Sequence, residues 1–266
     1  DGTIRVHSEE FLMPANDFVA KYLSDERLRS VVAYMNPLYG GRGNSTPAYL
    51  HSLISVLYIN GVSRFAGGSC LFAETLGDAI RRNGGRGLVD DGVKTLETEG
   101  RFIKCVRTES GKEYTADYYI SDIHPCTLIK LFDDPSALPK SYRERLDSIP
   151  NTYSAFSVYI KLKKNTFRYF SHSAYYMTRY KDIWNFGDGN RKWPLGFLYM
   201  TPPDPGQGEW ASKILVTAPM TWDEVKQWED TKVGHRGKEY TQWKEKCTER
   251  LLECMELRHP GFRSCI

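Results

Sequence analysis

The sequence predicts an α+β chain, and three observations carry that expectation. Apolar residues recur at helical spacing near its start and at its end, whereas its middle alternates or clusters apolar residues at strand spacing. The later strands are joined by loops, which predicts antiparallel pairing. With 266 residues, 41% of them hydrophobic, the chain can build one large or two modest cores.

The first helix is expected from about Asp17 to Met35. Ser24 is a capping residue, Asp25 and Glu26 suit the positive helix end, and Leu28, Val31, Val32 and Met35 share one face. The loop NPLYGGRGNSTP ends it, because three glycines and two prolines resist helix. AYLHSLISVLYI follows as a second helix, stopping near Asn60-Gly61. The run from Asn44 to Ser63 is uncharged, but Pro47, His51, Asn60, Gly61 and its serines make it too polar for a lipid-facing span, so it reads as a buried or interfacial helix.

FAGGSCLFAETLGDAIRRNGG comes next. Ser69 can cap a helix whose apolar face is Leu71, Phe72, Leu76, Ala79 and Ile80, and Asn83-Gly84-Gly85 stops it. Gly67-Gly68-Ser69 lacks the G-x-G-x-x-G spacing of a pyrophosphate cradle, so these glycines read as helix punctuation. A β-meander is then expected, with Val93, Leu96, Ile103, Val106 and Tyr114 between turns at Glu99-Gly100 and Ser110-Gly111. It is expected to end in a buried strand through Tyr118 and Ile120. Helical pieces near Leu128 and Tyr142–Leu146 lead to strands in YSAFSVYIKL, SAYYMTRY, LGFLYMTPP and KILVTAPM. A last helix, about Thr241 to Leu257, places Trp243, Cys247, Leu251, Cys254 and Met255 on one side, which makes both cysteines core residues.

Composition narrows the function classes. A net charge of +3 is too mild to argue for nucleic acid. The six cysteines form no C-x-x-C pair, and no histidines stand at zinc spacing from them; they read as reduced thiols in a cytoplasmic protein, an even count leaving a secreted origin open. The start, DGTIRVHSEEF, has no apolar leader core and no initiating Met, as in a piece of a longer chain. Neither a G-x-S-x-G elbow nor H-E-x-x-H occurs. His124, after the expected buried strand, reads as a strand-end histidine with a hydrogen-bond partner, and Asp90-Asp91 and Asp133-Asp134 as solvated loop acids.

The order of these segments resembles the FAD-dependent phytoene desaturase, carotenoid isomerase and retinol saturase family. The shared pattern runs through Gly67-Gly68-Ser69, Leu71, Leu76, Ile80, Gly84-Gly85, Val93, Leu96, the Ser110-Gly111-Lys112 turn and ADYYISDIHP ending at Pro125. The segment FVAKYLSDERLRSVVAYMNPLYGG, the late strands and the closing HPGF segment extend the likeness loosely over nearly the whole chain. The family's N-terminal G-x-G-x-x-G and C-terminal flavin motif do not occur here, so the resemblance implies an internal section of an α/β FAD-binding flavoprotein. It implies that residues 1–60 form a helical part of the substrate domain, 61–123 a partial FAD-binding domain, and 124–266 a substrate-binding domain with an antiparallel sheet. It also implies that the backbone of Val93 meets the adenine of FAD, that Ser121 and Asp122 lie by the dinucleotide, and that Gly67 and Gly68 lie towards the isoalloxazine. The family's Pro-Lys before the glycines is Phe65-Ala66 here, and its N-A-D before Pro is Asp122-Ile123-His124.

The expected activity is desaturation, saturation or isomerisation of a lipophilic polyene, the flavin doing the redox chemistry while the aromatic strands from Tyr153 to Met220 line the substrate cavity. No catalytic acid, base or metal ligand is assigned. The expected partner is a lipophilic small molecule, with no nucleic acid and with peripheral membrane association left open. Two alternatives stand beside this: a flavin amine oxidase with an aromatic cage, and a non-catalytic module binding an apolar ligand or partner.

Overall fold

The computed structural model describes residues 8–188 and 192–266. His7 and the rest of the opening seven residues, read above for a leader, lie outside them. The first helices are α1 (Ser8–Leu12), α2 (Ala15–Tyr22), α3 (Glu26–Val32), α4 (Ala48–Ile59) and α5 (Ser69–Arg82). Strands β1 (Val93–Glu99), β2 (Phe102–Thr108) and β3 (Glu113–Tyr114) follow, then helices α6 (Pro125–Ile129) and α7 (Lys140–Ser148). Strands β4 (Ser154–Lys161), β5 (Ser173–Met177), β6 (Gly196–Met200) and β7 (Lys213–Met220) precede the long helix α8 (Gly237–Arg258). The fold is therefore mixed α+β with two antiparallel sheets.

The chain divides into two compact units: residues up to Phe72 together with Thr152–Ile266, and Ala73–Asn151. The divisions fall at 72/73 and 151/152, where the sequence suggested 60/61 and 123/124. The stretch 124–151 joins the meander because Leu96 donates to the carbonyl of Leu131 at 2.7 Å and accepts from the amide of Asp133 at 3.1 Å. Asp133 Oδ1 then accepts from the amide and hydroxyl of Thr98 at 3.0 and 2.7 Å.

In the smaller unit the strand order is β1-β2-β3, with irregularities between Val93 and Thr95 and between Glu97 and Thr98. The buried strand expected through Tyr118 and Ile120 is absent. These side chains are 89% and 98% exposed, and the backbone there is irregular. Apolar alternation stabilises a strand only where a neighbouring strand and a covering layer accept it, and β3 ends at Tyr114.

In the larger unit the sheet order is β4-β7-β6-β5, every neighbour antiparallel. The strands' period-2 alternation sends Ile160, Phe197, Val216 and Ala218 to one face, where they bury against Leu251 and Met255 of α8 and against Phe262. The opposite face presents Tyr175, Leu198 and Thr217 in register. The single helix expected over 17–35 is broken at Leu23, whose backbone is extended, and restarts at Asp25, whose carboxylate accepts from the amide of Leu28 at 2.8 Å. Asp25 rather than Ser24 is thus the cap. Helix α4 buries only Ala48 and His51, and leaves Leu53, Leu57 and Ile59 more than half exposed. Among the described residues, no helix is long and apolar enough to cross a membrane.

Candidate functional site

The open face of the four-stranded sheet holds a cavity of about 210 Å³ in the larger unit. Tyr175 and Met177 of β5, Leu198 of β6 and Ala155 of β4 form its floor, and Tyr34 and Leu38 its wall. These residues reach one space because alternate positions of paired strands share a face. Tyr34 meets Tyr175 edge to face with ring centroids 5.2 Å apart, and Tyr58 of α4 stands 6.5 Å from Tyr34. Burial, with smaller contributions from Tyr58 and Tyr34, pushes the Tyr175 phenol up to about 12, so it is a neutral hydroxyl at physiological pH.

The wall is held by a polar framework behind it. The buried Asn36 side chain donates to the carbonyls of Ile183 and Gly41 at 2.6 and 3.1 Å. Tyr153 Oη donates to the same Gly41 carbonyl at 3.2 Å, and Thr152 Oγ1 to that of Gly40 at 2.6 Å. A side chain on Gly41 would place its Cβ 1.8 Å from Asn36 Oδ1, which is why the loop needs glycine there. Beneath it, His51 Nδ1 lies 2.7 Å from Tyr39 Oη, with the ring 5.5 Å from that of Trp184. Burial lowers the pKa of His51 and raises that of Tyr39, so both are neutral at physiological pH.

Gly67 and Gly68 are tied to this sheet. Arg64, three residues before them, donates to the carbonyl of Thr201 at 3.1 Å and to Ser173 Oγ at 3.3 Å. Both glycines have positive φ, +86° and +92°, which a side chain would strain, and no heavy atom lies within 4 Å of the place a Cβ on Gly68 would take. The main chain of this turn is therefore open to close approach by another group.

The other residues assigned from the resemblance lie in the smaller unit. Val93 opens β1 opposite Thr108 with its side chain 44% exposed. Ser121 and Asp122 lie exposed in the irregular stretch that precedes α6. No hydrogen bond joins Val93 to either of them among the described residues. His124 has the partners expected of a structural histidine: its Nδ1 caps α6 by accepting from the amide of Cys126 at 3.2 Å, and its Nε2 lies 3.1 Å from Asn151 Oδ1. Of the tyrosines that line the cavity, Tyr34 had no signal in the sequence, whereas Tyr175 stood in an expected aromatic strand.

No protein-family model matches the sequence, and no curated protein matches it either. Among solved structures the chain is similar to the PF1083 protein from Pyrococcus furiosus, at 19% identity and a TM-score of 0.55. The match covers 91% of this chain and 54% of that one, so the chain spans about half the length of its structural neighbour. At that identity the likeness concerns the fold.

Proposed function

We propose that this chain is a section of an FAD-dependent oxidoreductase, similar to phytoene desaturases, carotenoid isomerases and retinol saturases, and that it carries the binding surface for a lipophilic substrate. The observation that carries this reading is the apolar cavity on the sheet beside Tyr34 and Tyr175, on the same sheet to which Arg64 ties the Gly67-Gly68 turn. Aromatic and aliphatic walls with few polar groups suit a polyene, whose transfer from water contributes roughly 25 cal/mol per Å² of apolar area.

The residues present fit part of a flavin. The open main chain at Gly68 would accommodate close approach by a flat ring, and Val93 offers main-chain groups at the exposed start of β1. Ser121 and Asp122 add exposed polar groups on the same unit as Val93. FAD, when bound, supplies the two-electron chemistry. The chain's own part is to bind the substrate, hold its unsaturated segment in place with Tyr34, Tyr175 and Leu198, and exclude water. The unpaired apolar stretch through Tyr118 and Ile120 supports the same reading, since in a larger flavoprotein a further strand would cover it.

The cluster of Tyr34, Tyr58 and Tyr175 favours a second reading, the flavin amine oxidase, because three tyrosine rings could receive an amine. Titrating the chain with all-trans-retinol and with benzylamine, followed by tryptophan fluorescence, separates the two. Saturable quenching by retinol that is lost in Ala155→Trp, which fills the cavity from an exposed position, is the expected result. Response to benzylamine alone would favour the amine oxidase, and response to neither would overturn both.

A further inference from the structure

We propose that the ligand of this cavity is an anionic amphiphile, with its charged head in a basic groove at the edge of β5 and its apolar tail in the cavity beside Tyr34 and Tyr175. The inference rests on the apolar-ligand reading above and adds the class of head group. Between the end of β5 and the last turns of α8 lies a groove of about 350 Å³ lined by Arg179, Lys192, Arg250 and Arg258. Asp182 is the single carboxylate among its lining residues. It is fully buried, and Arg179 forks it through Nε and Nη2 at 2.8 and 3.1 Å. Arg250 reaches Glu253 at 2.8 Å across one helical turn.

Arg258 is set up differently. Its guanidinium lies over the Tyr176 ring, 4.1 Å from the centroid, and neither it nor Lys192 has a carboxylate at ion-pair distance among the described residues. Stacking fixes the plane of the guanidinium and leaves its N–H fork free for a carboxylate or phosphate. The groove thus holds an excess of positive charge with two cations unengaged.

A third space of about 530 Å³ borders both the groove and the cavity. It shares Thr178, Arg179 and Arg258 with the groove, and Tyr34, Tyr175 and Met177 with the cavity. β5 is an edge strand, so no further strand of the described sheet closes this space. Cations at one end and tyrosine, methionine and leucine at the other match a molecule charged at one end only. The same excess of positive charge opposes an ammonium substrate.

The test is displacement of Nile red, a neutral reporter, from the whole chain by oleate, oleyl phosphate and oleyl alcohol at low ionic strength. The same series is run on Arg258→Met/Lys192→Met, which removes both charges and keeps unbranched apolar side chains, and on Ala155→Trp. An anionic oleyl compound should compete about tenfold better than the alcohol, the scale of one or two partly exposed charge pairs. Whichever of oleate and oleyl phosphate competes better identifies the head. The double variant should lose that preference while binding the alcohol as before, and Ala155→Trp should weaken all three. Equal competition by acid, phosphate and alcohol, or a preference that survives in the double variant, would overturn the anionic head and leave the apolar cavity standing. Displacement by none of them would remove both. Binding of the anionic compounds by Ala155→Trp as tight as by the wild type would show that the tail does not enter the cavity, and would also overturn the proposal.

Discussion

Gly41 is the tightest point of the loop that supports the cavity wall. A Cβ there would come within 1.8 Å of Asn36 Oδ1 and 2.4 Å of the Tyr39 ring, and Asn36 is fully buried with its amide committed to two carbonyls. Relief requires breaking those bonds or moving the loop, so Gly41→Ala should destabilise the larger unit by about 1–3 kcal/mol in urea unfolding. His51 makes a second residue-scale test. Burial lowers its pKa in the folded protein, so below the ordinary imidazole value of about 6.5 the unfolded chain binds the proton more readily. The stability contributed by the neutral ring is therefore complete above that pH and is lost as pH falls through the folded pKa. The lowered carboxylates, such as Asp91 and Glu97, start from ordinary values near 4 and act at lower pH. Stability measured between pH 7 and 5 should fall in the wild type and fall less in His51→Gln. Equal slopes would show that His51 does not carry the effect.

At the scale of elements, α8 was the most legible from sequence. The spacing of Trp243, Cys247, Leu251, Cys254 and Met255 placed them on one face; Cys247, Leu251 and Met255 are its buried residues, and Trp243 and Cys254 are half-buried. Leu251→Ala should therefore cost about 2–5 kcal/mol, and Leu257→Ala, 81% exposed, no more than about 0.5 kcal/mol. Similar costs for both, read from denaturant midpoints, would mean that the helix is turned differently. The four strands of the larger unit were legible for the same reason, since alternation and loop spacing are local signals. The break at Leu23 was not, because Ser24 and Asp25 are both good caps and only the bond from Leu28 to Asp25 decides between them. Nor was the loss of the strand through Ile120, because its residues have strand character and lack only a partner, which no local pattern reports. The site divides in the same way: Tyr175 was visible in its strand, whereas Tyr34 and Leu38 come to it from a distant segment by tertiary packing.

At the scale of the whole molecule, the flavin reading makes a demand on the chain as given. Much of a dinucleotide's affinity comes from its pyrophosphate, held by backbone amides at a glycine-rich helix N-terminus. The sequence contains no G-x-G-x-x-G, and the helix that follows Gly67-Gly68 has neither that spacing nor a preceding strand. The residues assigned to FAD are main-chain groups at Val93 and in the Gly67-Gly68 turn, with exposed polar groups at Ser121 and Asp122. Such groups orient a ring but supply few strong contacts, each net hydrogen bond contributing only about 1 kcal/mol. The 266-residue chain should therefore bind FAD weakly, with gradual quenching of flavin fluorescence and no stoichiometric end point. Val93→Pro sharpens the test, because Val93 is the first residue of β1, where proline is tolerated. The variant should fold and lose what FAD affinity the chain has, while Val93→Ala, which keeps the amide, should retain it. Tight binding by the wild type would locate a phosphate site within these residues. A folded Val93→Pro variant with unchanged affinity would remove the adenine contact from this strand.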